Sequence, residues 1–556
     1  MPRSRLLSAL LLLPALAAQT AIVTTIAGTG TAGFSGDGGP ATNAAIALAN
    51  LQNKCDPSRF EQTSHIALDA KGTLYLADSN NQRIRRIDPA GIMTTIAGDG
   101  AAPATNCAAF PTASPHLFNP ADVLPLPNGS LVVADQQNNR ILQISPTGTV
   151  TTIAGNGVHN LFVPGNLATA SPMDWPSALA VDPAGLIYFS ELHGNRIGRI
   201  NADGKLVTVA GNGFPGTATL TKPTGIAIDA AGNVLIADTG NHRIRRAAPN
   251  GTLTTIAGTG TQSFCGDGGP ALAACFDTPM DIKLDSRGNI YIADTGNHRI
   301  RRIDAASGNI TTVAAGALNT PCAIALDAND NLYIVDWQNF VIRKVAFPAI
   351  SPGGIVDGAS FSAPPAPGGI FSIFGANLSS ATEAFSTVPL PTTLAGVSLE
   401  INGAAAPLYL VSPGQINAQL PFDTAAGPAT AVIVTPAGRT PAAAFNVLPA
   451  APTIFLAVPA GNGVITAYVT GLGAVSPSVP TGSPAPLNDL SYAEATVTAT
   501  LGGVPAQVPF AGLAPGFIGL GQVNILVPQD APKGDAVPLV LEINGQKSKP
   551  SPVAIR

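Results

Sequence analysis

A sixfold internal repeat constrains this chain more than any other feature. The segment PTGIAIDAAGNVLIADTGNHRIRRAAPNGTLTTIAG, starting at Pro223, recurs as PMDIKLDSRGNIYIADTGNHRIRRIDAASGNITTVAAG from Pro279, and looser copies begin near Ser64, Pro120, Pro176 and Pro321. Self-similarity of this kind means one supersecondary unit packed against copies of itself. Within each copy, β-branched runs such as GIAID, NVLIAD, HRIRR and LTTIAG are separated by the turn clusters DAAGN, TGN and PNG. The pattern predicts a four-stranded antiparallel meander. Both faces of such a sheet are apolar, so it cannot stand alone. Six sheets arranged radially bury one another, and closing the ring leaves no end sheet exposed.

Closure leaves its own trace. Copies one to five each end in a TTIAG-like strand, whereas the sixth stops near Val345 without one. The run IVTTIAG at Ile22–Gly28 supplies the missing strand from the other end of the chain. The expected architecture is therefore all-β, with a six-bladed β-propeller over residues 19–347 whose N-terminal strand completes the last blade.

Upstream of that strand, Arg3 and Arg5 precede an apolar run from Leu6 to Leu13 and the small residues Ala15, Ala17 and Ala18. This is the order of a secretory signal peptide, expected over residues 1–18, and it predicts an extracytoplasmic protein, secreted or periplasmic. Charged residues make up only 11% of the chain and the net charge is -5, a balance that argues against nucleic-acid binding. No later apolar stretch is long enough to span a bilayer. Of the five cysteines, Cys265–Cys275 and Cys55–Cys107 are possible disulfides and Cys322 is the expected free thiol; none has zinc-ligand spacing.

The motif DTGNHRIRR, at Asp238 and again at Asp294, resembles the NHL-repeat family of six-bladed propellers. FSGDGGPA from Phe34 and FCGDGGPA from Phe264 are similar to segments of the NHL propellers in teneurin-like and bacterial secreted proteins. The resemblance covers about Ile22 to Phe347. It implies the fold and leaves function open, because related propellers include binding proteins as well as lyases and lactonases.

Several residues invite a chemical reading. An acid closes the second strand of each copy, at Asp78, Asp135, Glu191, Asp238, Asp294 and Asp336, and five positions later stand Arg83, Arg140, Arg196, Arg243, Arg299 and finally Val341. Recurrence in blade after blade predicts a structural ladder, each pair facing across its hairpin. His242 and His298 occupy equivalent hairpin positions, far apart in the ring. The Gly-rich segments around Asp37 and Asp267 are expected to be loops whose Asp caps its own turn, with too few oxygens for calcium.

A site is expected instead where one blade departs from the rest. The column at the head of the innermost strands holds His65, Asp122, Ala178, Gly225, Asp281 and Ala323, with Lys283 two residues beyond Asp281. His65, Asp122, Asp281 and Lys283 form the candidate channel-mouth site, for a ligand or a divalent cation; no other cofactor is expected. A lone buried Lys283 would need water or Asp281 as its partner.

Beyond Phe347 the repeat stops and Pro, Gly, Ala and Val dominate. Runs such as GIFSIFG, VSLEING, VITAYVTG and VPLVLEING predict β-sandwiches. Sequence shared between Gly396 onward and Ala495 onward predicts a duplication, giving immunoglobulin-like lobes at 348–450 and 451–556. This half resembles the uncharacterised C-terminal domain of exported acidobacterial proteins and IPT/TIG-type sandwiches. Gln415, Asn417, Gln522 and Asn524 are equivalent in the two copies and are expected to satisfy backbone groups or, alternatively, to bind sugar.

Two functions follow. The first is a non-catalytic exported protein that binds a protein or glycan with its propeller. The second is a propeller enzyme, lyase- or lactonase-like, with a metal at the channel mouth.

Overall fold

The computed structural model describes residues 23–48, 64–101, 116–435 and 438–556. The expected signal peptide and the proposed Cys55–Cys107 pair fall outside them. The chain divides into two units between Ala346 and Phe347.

The first unit holds six four-stranded antiparallel sheets. In the fourth blade, taken as the type, the strands are Pro223–Ile228, Val234–Asp238, Arg243–Ala247 and Leu253–Ala257 from the centre outward. The second strand, VLIAD, is buried at every position, which is why its sequence is a short unbroken apolar run rather than an alternation. The innermost strand of each blade touches that of the next, and the sixth touches the first, so the ring is closed. Closure is made by Val23–Ala27, which pairs antiparallel with Val341–Val345 in the sixth blade. The apolar side chains between neighbouring blades form the core; one cluster joins Ala27 and Ile46 to residues of the first and sixth blades.

The second unit contains two β-sandwiches with separate cores, one built around Phe371, Leu399 and Ile416 and the other around Ile465, Leu501 and Val523. Their strand pairings correspond. In the first lobe Ile370–Ala376 pairs with Gln415–Gln419, and in the second Val464–Thr470 pairs with Gly521–Leu526. Gln415 Nε2 donates to Asn417 Oδ1 (2.8 Å), which also accepts from Ser372 Oγ; Gln522 Nε2 donates to Asn524 Oδ1 (3.0 Å), which also accepts from Thr466 Oγ1. The four amide residues thus make the same internal network twice. Tyr409 Oη donates to the Ile518 carbonyl, and Gln419 bridges the Gly368 carbonyl and the Gly482 amide, tying one lobe to the other.

Candidate functional site

All six ladder acids are fully buried. One oxygen of each accepts a backbone N–H from the segment leading into its own blade: Ala47, Phe118, Asp174, Thr221, Asp277 and Asn319 donate in turn at 2.7–2.9 Å. The arginine partner differs from expectation in three of the five blades given one, and the sixth, where Val341 left none expected, acquires one. Asp78, Asp238, Asp294 and Asp336 pair with Arg85, Arg245, Arg301 and Arg343, seven residues on, at 3.0–3.6 Å. Only Asp135–Arg140 and Glu191–Arg196 use the position five residues on. The reason is compositional. Those two blades carry Leu142 and Gly198 where the others carry the second arginine, and a buried carboxylate takes whichever guanidinium can reach it. Arg83 and Arg299 instead lie over the rings of Phe34 and Phe264, and Arg243 donates to the Thr259 carbonyl. Burial raises Glu191 to about 7 and Asp294 to about 6 despite their arginines.

The Gly-rich loops reach across to the ladder rather than capping their own turns. Asp37 accepts from Arg85 at 2.8 Å, and Asp267 accepts from Arg301 at 2.8 Å and from the Thr312 amide and hydroxyl. A disulfide joins Cys265 to Cys275 within the second of these inserts, with a Cα–Cα distance of 4.8 Å. Cys322 is a buried free thiol, pushed up to about 12 by burial. His242 and His298 serve the seams between blades. Each sits in a left-handed hairpin position, and its Nδ1 accepts the backbone N–H of Thr278 or Thr320 at 3.1 and 3.0 Å.

At the channel, both oxygens of Asp122 and of Asp281 accept backbone amides. Asp122 accepts from the Val123 and Leu179 amides, both at 2.7 Å; Asp281 accepts from the Ile282 and Ile324 amides, both at 2.8 Å. Each therefore pins its own innermost strand to that of the following blade. Lys283 Nζ donates to Asp281 at 2.7 Å, supplying the partner its position demands. His65 is buried, and its Nδ1 donates to the Ala121 carbonyl, because a carbonyl can only accept. Its Nε2 points at Asp281 Oδ1 from 3.9 Å and has no hydrogen-bond partner. Burial raises Asp122 against the opposing charges of His65 and Lys283. The four residues share one electrostatic neighbourhood, and each carboxylate oxygen in it also accepts a backbone amide.

Beside them a cavity of about 410 Å³ opens where the innermost strands begin, bounded by Leu192, Lys222, Thr224, His242, Met280 and Trp337 among others. Blades three to six all contribute. The lining is mainly apolar, with the cationic Lys222 and the imidazole of His242.

Residues 35–217 match the family model of the Teneurin NHL domain, and residues 220–246 and 276–303 match the NHL repeat. The ring is an NHL-repeat propeller. Human Teneurin-4 is 29% identical over 282 residues, 48% of this chain and 8% of the teneurin; mouse Teneurin-1 is 27% identical over the same extent. The chain thus spans less than a tenth of the length of the curated relatives it matches. Solved structures similar to it include a streptogramin B lyase (16% identity, TM-score 0.35, 52% of this chain and 95% of that one). An auxiliary nutrient binding protein from Bacteroides thetaiotaomicron VPI-5482 is also similar (16% identity, TM-score 0.42, 58% and 76%).

The NHL propeller also gathers residues that the repeat alone does not single out. His159, Asp174 and His193 bring one ligand atom each to within 4.8 Å of the other two, and theirs is the group with metal-holding potential among the described residues. They lie in the lead-in loop and hairpin of the third blade. A comparison of loops, copy against copy, would have shown that this blade alone places His in both positions.

Proposed function

We propose that this NHL propeller is a non-catalytic binding module of an exported protein and that its ligand is another protein, held at the channel mouth. The observation that carries this reading is the cavity bounded by Leu192, Met280 and Trp337, whose mainly apolar wall suits an apolar side chain of a partner. Lys222 and His242 beside it favour an acidic or C-terminal carboxylate neighbour. The enzyme alternative would have to draw on Asp122 and Asp281, whose oxygens each hold a backbone amide and strap neighbouring blades together. Export rests on the charged, apolar, small-residue order of residues 1–18. No helix among the described residues is long and apolar enough to cross a membrane.

The test is capture from a native cell-envelope extract by the mature chain, alongside Thr320→Trp, which fills the cavity, and Lys222→Glu, which reverses its charge. Both substituted residues already have positive φ in the native chain, so neither change adds backbone strain. A protein retained by wild type and lost from both variants supports the reading. Retention of a glycan, or equal retention by all three, overturns it.

A further inference from the structure

The third blade differs from the fifth at two positions that come together in space around a carboxylate both blades share. In the fifth blade, Gln262 Nε2 donates to Asp277 Oδ1 at 2.9 Å, and a parallel bridge joins Gln262 to Phe276. The hairpin facing that carboxylate carries Gly296, where a Cβ would lie 2.4 Å from the Asp277 carboxyl carbon. In the third blade the same bridge joins His159 to Met173, His159 Nε2 lies 2.5 Å from Asp174 Oδ1, and the hairpin position holds His193. Thus an amide and a glycine are replaced by two imidazoles around an unchanged carboxylate. Trp175, at φ +55, stacks on the His193 ring with centroids 4.5 Å apart and an interplanar angle of 24°. That contact fixes the plane of one donor ring.

We propose that His159, Asp174 and His193 form a three-ligand site for a divalent transition metal of the zinc class, leaving a coordination position open to water or a ligand. Two imidazoles and one carboxylate are donors for zinc, cobalt, nickel or copper rather than for calcium or magnesium, which prefer all-oxygen shells. Zinc bonds of about 2.0–2.1 Å place tetrahedral donors roughly 3.3 Å apart, so the present spacing of up to 4.8 Å needs a small closure. The His159 side chain is 47% exposed and has room to turn. A bound ion would clip the long lead-in loop of the third blade to its hairpin. The fifth-blade insert obtains the same restraint from the Gln262–Asp277 hydrogen bond and the Cys265–Cys275 disulfide. This site is separate from the channel-mouth residues His65, Asp122 and Asp281 and shares no side chain with them.

The experiment is calorimetric titration of ZnSO4 into tag-free mature protein stripped with a chelator, repeated with Co²⁺ and followed by its visible absorption. The variants are His159→Gln and His193→Ala. His159→Gln recreates the fifth-blade hydrogen bond and so keeps the loop in place without a metal ligand. One zinc per chain is expected, weakened at least about tenfold in each variant while their circular dichroism stays at that of wild type. Cysteine-bound zinc would persist unchanged in both variants. No binding at about 100 µM zinc, or binding unaffected by either substitution, overturns the proposal.

Discussion

Val23 lies opposite Val345, and through that register the first described strand becomes the outer strand of the sixth blade. Arg343 reinforces the pairing by donating to Thr25 Oγ1 at 2.6 Å. A ring closed between the two ends of its sequence depends on every residue that lets the last strand dock.

Gly28 is the most sensitive of these. It ends the closing strand at φ +93, and a Cβ there would sit 2.3 Å from the Phe340 carbonyl oxygen. Gly98, Gly155 and Gly211 end the outer strands of the first three blades in the same close approach to a hairpin carbonyl. Gly28→Ala is expected to lower unfolding free energy by about 2–4 kcal/mol, combining backbone strain with a backbone clash. Gly38→Ala, at φ +81 with no atom within 4 Å, should cost only about 1 kcal/mol. Urea denaturation compares the two, and equal losses would refute the special role of Gly28.

The arginine assignments make a second prediction. Arg85 is fully buried between Asp78 and Asp37, while Arg83 lies over Phe34 and donates to the Asp99 carbonyl. Arg85→Ala strands a buried carboxylate and is expected to cost about 3–5 kcal/mol. Arg83→Ala loses a half-exposed stacking contact worth about 1 kcal/mol. In the second blade Arg140 takes the buried role, so Arg140→Ala should match Arg85→Ala. Thermal unfolding of the three variants decides whether distance from the acid or position in the motif governs the cost.

That outcome bears on how much of the molecule its amino acids disclose. The sixfold period, the strand runs and the orphan IVTTIAG made the ring and its closing strand readable, because each copy supplies the hydrophobic pattern that its neighbours repeat. Side-chain partners were less readable. Arg83 and Arg85 lie on the same face of one strand, and spacing alone does not say which one turns inward; the choice depends on Asp37 arriving from a separate loop. The His159, Asp174 and His193 cluster was hidden for a related reason. Its members lie in connections of variable length, where the repeat alignment is weakest.

The ladder acids also set a pH dependence. Glu191 is raised from 4.5 to about 7 in the folded protein by burial, so between those values the folded state binds a proton that the unfolded chain has released. Its contribution to stability is full below about pH 4.5 and is lost as pH rises through about 7. Asp294, raised to about 6, acts in the same direction. His242, lowered by burial, acts oppositely and loses stability as pH falls below about 6.5. Substituting Glu191→Gln removes one term alone. The decline in unfolding free energy from about pH 4.5 to about pH 8 should therefore be smaller in the variant, or reverse to a gain. A steeper decline in the variant would show that burial does not dominate at Glu191.

Asp122 offers the sharpest separation between a strap and a reactive group. Its two oxygens hold the Val123 amide in its own strand and the Leu179 amide in the next blade. Alanine leaves both buried N–H groups without partners and is expected to destabilise by about 3 kcal/mol, since each charged-acceptor bond is worth about 1.5 kcal/mol or more. Asparagine keeps one acceptor oxygen and should lose about half as much. The ranking wild type, Asp122→Asn, Asp122→Ala in melting temperature is what an interblade strap requires. Unchanged stability in the alanine variant would free Asp122 from that role and return its carboxylate to the pool of groups able to meet a ligand at the channel.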